Sequence, residues 1–256
     1  MIVLFTDFGL DAPYIGQMKA VLHRDAPGVP VLDLFADLAP FDARSASYLL
    51  PAYVLDFPEN AVFLTIVDPG VGGPRRALVQ RSRNRWYVGP DNGILDIEAG
   101  RDPSTRRWQI TWLPKKLSAS FHGRDLFAPV AAKLARGAPP EEIGCVPLDE
   151  PLPAVPADLP RIVYIDRFGN AITGIRASTM TPKATLEIRG FQVPRANTYS
   201  DVPEGSPFWY ENANGLVEIA VNSGYADEQL DLDVGDPFVL HLRTRKRKAK
   251  GTGDPS

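Results

Sequence analysis

Asp7, Asp68 and His122 each stand in a short polar stretch rich in glycine: Thr6-Asp7-Phe8-Gly9, Val67-Asp68-Pro69-Gly70-Val71-Gly72 and Phe121-His122-Gly123-Arg124-Asp125. The first two follow Ile2-Val3-Leu4-Phe5 and Val62-Phe63-Leu64-Thr65-Ile66-Val67, runs apolar and β-branched enough to be strands buried on both faces. Ligands of open α/β sheets bind just beyond the carboxyl ends of such strands. Glycine after each carboxylate lets backbone approach a ligand closely, so the three stretches read as parts of one active site.

The chemistry differs from residue to residue. A carboxylate at Asp7 can accept two hydrogen bonds from a vicinal diol, as ribose sites require, or can serve as a turn former or helix cap. Asp68 is followed within one loop by Arg75 and Arg76. An aspartate held by arginine stays ionised, which suits orienting a water or another side chain, although a structural ion pair has the same signature. His122, next to Gly123 at an expected helix start, offers an imidazole that titrates near neutrality. Further on, Asp166-Arg167-Phe168-Gly169-Asn170 ends another strand, and the Asn170 amide is able to read a base edge. Phe208-Trp209-Tyr210 supplies aromatic surface on which a purine can stack, with Tyr210 expected to face the ligand.

These residues need a scaffold, and the first half provides a strand–helix alternation. Helical spacing of Ile15, Met18, Val21 and Leu22 marks a helix over residues 14–24, and a strand is expected over 29–35. Asp42 is a plausible N-cap for a helix kinked at Pro51 and closed by Pro58. Further strands are expected over 77–81, 86–88 and 108–112, and a helix over 124–136 ended by Gly137. This order implies an α/β fold with a mostly parallel central sheet and right-handed crossovers over residues 1–146. Residues 147–160 carry Pro147, Pro151, Pro153, Pro156 and Pro160 and read as an extended linker. Short alternating strands over 161–165, 184–188, 217–221 and 237–242 then predict a C-terminal all-β, barrel-like domain over 161–243. The basic stretch 244–256 is expected to be a disordered tail.

Bulk properties narrow the function. With 256 residues, 44% hydrophobic composition and a net charge of −3, the chain reads as a globular protein without general attraction to nucleic acid or anionic membrane, so a small-molecule partner is the default. No apolar run reaches the roughly 18 residues of a membrane span, and the opening residues read as a core strand, so no signal peptide is expected. The single cysteine, Cys145, fits a reducing cytoplasm and reads as a small buried apolar residue. The three histidines show no metal-ligand spacing and the carboxylates no dense cluster, so no metal is expected.

Taken together, TDFGLDAPYIGQMKA, VDPGVGGPRR, GPDNG, FHGRDLFAPVAA, IDRFGN and LVEIAVNSG, in order from residue 1 to about 235, closely resemble the S-adenosylmethionine (SAM) hydroxide adenosyltransferases, or SAM hydrolases. The resemblance implies an N-terminal α/β domain, a C-terminal β-barrel, a homotrimer with substrate at subunit interfaces, and cleavage of SAM by water into adenosine and methionine without a cofactor. It assigns Asp68, Arg75 and His122 to the attacking water, Asp7 to the ribose and Asn170 to the nucleoside. Tyr210, Glu218 and Val221 fall in the late segment that lines the nucleoside pocket, where Ala213 replaces a serine frequent in the family. Related halogenases share the fold but carry tyrosine and serine around the positions of Asp68, His122 and Gly123. A halide-using 5′-halo-5′-deoxyadenosine synthase and a non-catalytic adenosine or SAM sensor are the alternatives to a hydrolase.

Overall fold

The structure, a computed structural model, describes residues 1–241; the expected tail at 244–256 lies outside them. Its first strand, β1 (Ile2–Thr6), is wholly buried. Alternation along it feeds two cores: Ile2 and Leu4 point to one face of the sheet, Val3 and Phe5 to the other. α1 (Pro13–Asp25) then leads to β2 (Val31–Phe35), and α2 (Ala43–Tyr53) to β3 (Val62–Ile66). Asp42 caps α2 as expected, its Oδ1 accepting the Ser45 N–H at 2.9 Å. Pro51 lies within that helix.

β4 (Ala77–Ser82), β5 (Arg85–Pro90), β6 (Arg106–Ile110) and β7 (Cys145–Leu148) complete a seven-stranded sheet of order β2-β1-β3-β5-β4-β6-β7. β2, β1, β3 and β5 are parallel, whereas the β5–β4, β4–β6 and β6–β7 pairings are antiparallel, so the sheet is mixed. The antiparallel turn comes from the Arg83-Asn84 hairpin, where both residues have positive φ. Between β5 and β6 lies the short α3 (Asp96–Gly100), and α4 (Ala128–Ala135) and α5 (Pro140–Ile143) precede β7. α1 and α4 cover one face, with Met18, Leu22 and Phe127 buried against Leu4 and Ile66. α2 covers the other, where Leu49 and Leu50 meet Phe5 and Phe63; full burial of each such side chain contributes roughly 1.5–3 kcal/mol.

Two boundaries differ from the sequence reading. Residues 147–148 belong to β7 and residues 159–160 to β8 (Leu159–Ile165), so the extended segment is shorter than 147–160. Pro147 and Pro160 are tolerated because both strands are sheet edges, where a missing N–H breaks no ladder. The segment between them is a strap held at both ends of its run: Glu150 pairs with Arg76, and the Pro156 carbonyl accepts the Tyr48 hydroxyl at 2.8 Å.

The C-terminal region holds two antiparallel sheets. β8, β9 (Ala171–Arg176), β12 (Pro207–Glu211) and β13 (Leu216–Val221) form one, in the order β12-β13-β9-β8; β10 (Thr185–Ile188), β11 (Phe191–Val193) and β14 (Val239–His241) form the other. A short helix, α6 (Ala226–Leu230), departs from the all-β expectation. Val163, Ile172 and Leu216 of the larger sheet join the core beneath α2, so the two regions share apolar packing. Among the described residues no helix is long and apolar enough to cross a membrane.

Candidate active site

β1 connects to β2 on one side and pairs with β3 on the other, which opens a crevice at their carboxyl ends. Asp7 follows β1 and Asp68 follows β3, so both carboxylates sit at this switch point. They lie close enough for the Asp68 charge to act on Asp7. Burial foremost, and that charge in addition, push the Asp7 carboxyl above its ordinary value, while a 3.1 Å hydrogen bond from the Phe41 N–H opposes them.

Arg75 ties the site together. Its Nε donates to Asp68 Oδ1 at 2.9 Å and its Nη2 to Oδ2, a two-point clasp on a carboxylate that is almost fully buried. The same Nη2 contacts His122 Nδ1 at 3.0 Å. The guanidinium carbon lies 5.3 Å from the centre of the Phe127 ring, which holds it from beneath. Because a guanidinium donates and never accepts, Nδ1 of His122 is the acceptor and the neutral ring carries its proton on Nε2. Burial first, and the Arg75 charge second, hold the His122 pKa below the usual 6.5. His122 itself stands at the entry to a π-helical turn, Gly123–Phe127, that runs into α4.

Next to this trio is a cavity of about 390 Å³ walled by Phe8, Tyr14, Asp68, Val71, Phe121 and His122, among others. Phe8, Tyr14 and Phe121 pack edge to face or tilted, with centroids 5.4–5.9 Å apart. Gly72, at φ +77°, closes one side: a Cβ there would fall 2.4 Å from the Ala119 carbonyl oxygen, so only glycine lets the Asp68 loop meet the loop before His122.

The loop that carries Asp68 and Arg75 is gripped at both ends by the Gly89-Pro90-Asp91-Asn92-Gly93 segment. Asn92 Nδ2 donates to the Val67 carbonyl at 2.8 Å, just before Asp68. Asp91 accepts from Arg76 Nε at 2.6 Å, just after Arg75, and its backbone N–H reaches the Arg76 carbonyl at 3.0 Å. The sequence reading assigned Asn92 and Asp91 no role. The signal was their position at the end of β5, the parallel neighbour of β3.

The later residues form a separate group. Glu218 and Tyr210 are cross-strand partners, and the Tyr210 hydroxyl donates to Glu218 Oε1. Asn212 Nδ2 donates to Oε2 at 2.9 Å, so both Glu218 oxygens are engaged within the chain. Burial raises the pKa of both Glu218 and Tyr210. Asn170 is buried, its backbone N and Nδ2 donating to Asp166 at 2.9 and 3.1 Å. Val221 is 1% exposed and packs in the C-terminal core. The charges of Glu218 and Asp166 reach Tyr53 of α2, which places this group on the α2 side of the sheet. None of the residues lining the cavity beside His122 lies beyond Arg124, so the late group takes no part in the walls of that cavity. Cys145 is buried and its thiol is pushed up to about 11, an inert group as its sequence context indicates.

Comparison with known proteins identifies the family. Family models for the N-terminal and C-terminal domains of SAM hydroxide adenosyltransferases match residues 2–144 and 160–239. The chain is 41% identical over 257 residues to the (R)-S-adenosyl-L-methionine hydrolase of Thermus thermophilus, covering 93% of this chain and 98% of that one. A Nocardia brasiliensis fluorinase is 22% identical, with 92% and 94% covered. A conserved uncharacterized protein of Thermotoga maritima superposes with a TM-score of 0.83 at 33% identity, covering 94% of this chain and 99% of the other. The two matched models between them span nearly the whole described chain, and the chain belongs to the SAM hydroxide adenosyltransferase family.

Proposed function

We propose that this protein hydrolyses (R)-S-adenosyl-L-methionine to adenosine and L-methionine, with Asp68, Arg75 and His122 acting on the attacking water. The observation that carries the reading is the continuous hydrogen-bonded set from Asp68 through Arg75 to His122, set beside a cavity at the switch point of the sheet. The Asp68 clasp fixes the Arg75 fork. Arg75 then fixes the His122 tautomer, which leaves Nε2–H free to donate.

That arrangement is built to hold an oxygen by donors. Water bound by His122 Nε2–H and the guanidinium loses a proton to solvent, and the hydroxide that forms is stabilised by both groups. Oxygen attacks ribose C5′ while the C5′–S bond breaks, its electron pair returning to the sulfonium sulfur. The balance is SAM and water in, adenosine, methionine and one proton out. Hydroxide and a sulfonium cation cancel charge as they react, so a site walled by Phe8, Tyr14 and Phe121 favours the transition state over the separated ions. Holding the reactants in line supplies roughly 7–11 kcal/mol in favourable cases.

Asp7 is read as the acceptor for the ribose diol, and Asn170, Tyr210, Glu218 and Val221 as a nucleoside wall contributed across subunit interfaces of a homotrimer. The separation of the two groups within one chain supports that assembly, with Val221 and Glu218 acting through the strand that they anchor. The C-terminal sheets are read as a barrel-like unit and the protein as cytoplasmic.

Incubation of the purified chain with SAM, in halide-free buffer and again with added fluoride or chloride, tests the reading. Adenosine as the nucleoside product in every buffer is expected. A 5′-halo nucleoside would point to a halide-using synthase, and tight binding without turnover to a sensor.

A further inference from the structure

On the far side of the loop before His122 is a second, larger cavity, of about 740 Å³. Six cationic side chains face it: Arg24, Lys115, Lys116, Arg124, Lys133 and Arg136. Only two carboxylates do, and each is taken by its own neighbour, Asp25 by Arg24 and Asp125 by Arg124. Among the described residues Lys115, Lys116, Lys133 and Arg136 have no carboxylate partner. Lys133 Nζ is held 4.1 Å over the Trp112 ring, and Arg136 Nη1 reaches only the Asp25 carbonyl, at 3.3 Å. An excess of four positive charges in one concavity repels itself, and it stands out in a chain whose net charge is −3.

We propose that this cavity binds a small multivalent anion of the polyphosphate class, either inorganic triphosphate or the phosphate chain of a nucleotide. Four unpaired cations match a ligand with several negative charges better than a single carboxylate. The volume of this open concavity is that of a small-molecule site, whereas a nucleic acid needs an extended basic stripe.

The site is joined to the catalytic one through a shared wall. Pro114, Lys115 and Lys116 line the basic cavity, and Ser118, Ser120 and Phe121 of the same segment line the cavity beside His122. Asp125 Oδ2 accepts the Ser118 N–H at 2.9 Å, and the Arg124 guanidinium carbon lies 4.9 Å from the Phe121 ring centre. An anion drawn to Lys115 and Lys116 therefore fixes the segment that carries Phe121, and the KM for SAM changes with its occupancy.

Titration calorimetry of the full chain with inorganic triphosphate at constant ionic strength tests the proposal, and reads heat independently of turnover. One bound triphosphate per chain is expected. The Lys115→Ala/Lys116→Ala double variant should bind about tenfold or more weakly, keep its triphosphate-free hydrolysis rate, and lose the triphosphate dependence of KM. Equal affinity for ATP and triphosphate would show that the phosphate chain alone is recognised, and tighter binding of ATP that a nucleotide is; either outcome supports the site. No binding to the unaltered chain, undiminished binding to the double variant, or binding of a single-stranded oligonucleotide but not of triphosphate would overturn it.

Discussion

Arg75 Nη2 lies 3.0 Å from His122 Nδ1, and this contact decides which way the imidazole works. With Nδ1 occupied by a donor, the proposed mechanism has His122 act through Nε2–H, as a second donor to the attacking oxygen. Protonation at Nδ1 would set imidazolium against guanidinium and break the contact. The proposed mechanism therefore requires neutral His122, whose pKa lies below the usual 6.5 through burial and the Arg75 charge.

The acid limb of kcat/KM against pH should accordingly fall below 6.5 and move upward toward it when Arg75 is replaced by Gln. The sign for stability is the same: the unfolded chain takes up a proton at His122 near 6.5, the folded chain only at lower pH, so the contribution of this group to stability is lost as pH falls below about 6.5. Rate measurements over pH 5–8, with denaturant titrations alongside, check both.

His122→Ala should lower kcat about 10²–10³-fold and leave SAM affinity within a few-fold, since in the proposed mechanism the side chain donates to the attacking oxygen and does not touch the nucleoside. Equilibrium binding of SAM together with single-turnover rates separates the two effects. An unchanged turnover rate would remove His122 from the mechanism.

Asn92→Ala should cost roughly 1–3 kcal/mol in denaturant unfolding, because it leaves the buried Val67 carbonyl without its donor. It should also depress kcat more than it changes KM, because the start of the Asp68 loop is freed. A loss of stability with kcat intact would make Asn92 a structural anchor only.

If the late residues complete a neighbouring subunit's site, two inactive variants must rescue one another. Refolding His122→Ala chains together with Asn170→Ala chains should restore a fraction of turnover that neither variant shows alone. Absence of rescue in confirmed mixed oligomers would place the whole site within one chain.

Much of this was legible in the sequence, and for a physical reason. β1 and β3 are continuous apolar runs, so their ends, and with them Asp7 and Asp68, are placed by burial alone. The Asp42 cap and the α1 spacing are local signals of the same kind. The antiparallel pairing of β4 with β5 was not legible, because the hairpin at Arg83-Asn84 uses two residues that carry no glycine signal. Nor was the strand identity of Pro147 and Pro160, since proline reads as linker unless the strand is known to be an edge. Arg75 could be placed near Asp68 by loop length, whereas its bond to His122, 47 residues away, depends on how β3 and α4 pack. The grip of Asn92 on Val67 is likewise a consequence of β5 lying beside β3.

Hydrolysis of SAM in water enriched in oxygen-18 tests the central claim most directly. Mass analysis of the products should find one labelled oxygen in adenosine, at the 5′-hydroxyl, and none incorporated into methionine. Unlabelled adenosine, or release of adenine in place of adenosine, would contradict attack of water on C5′ by this site.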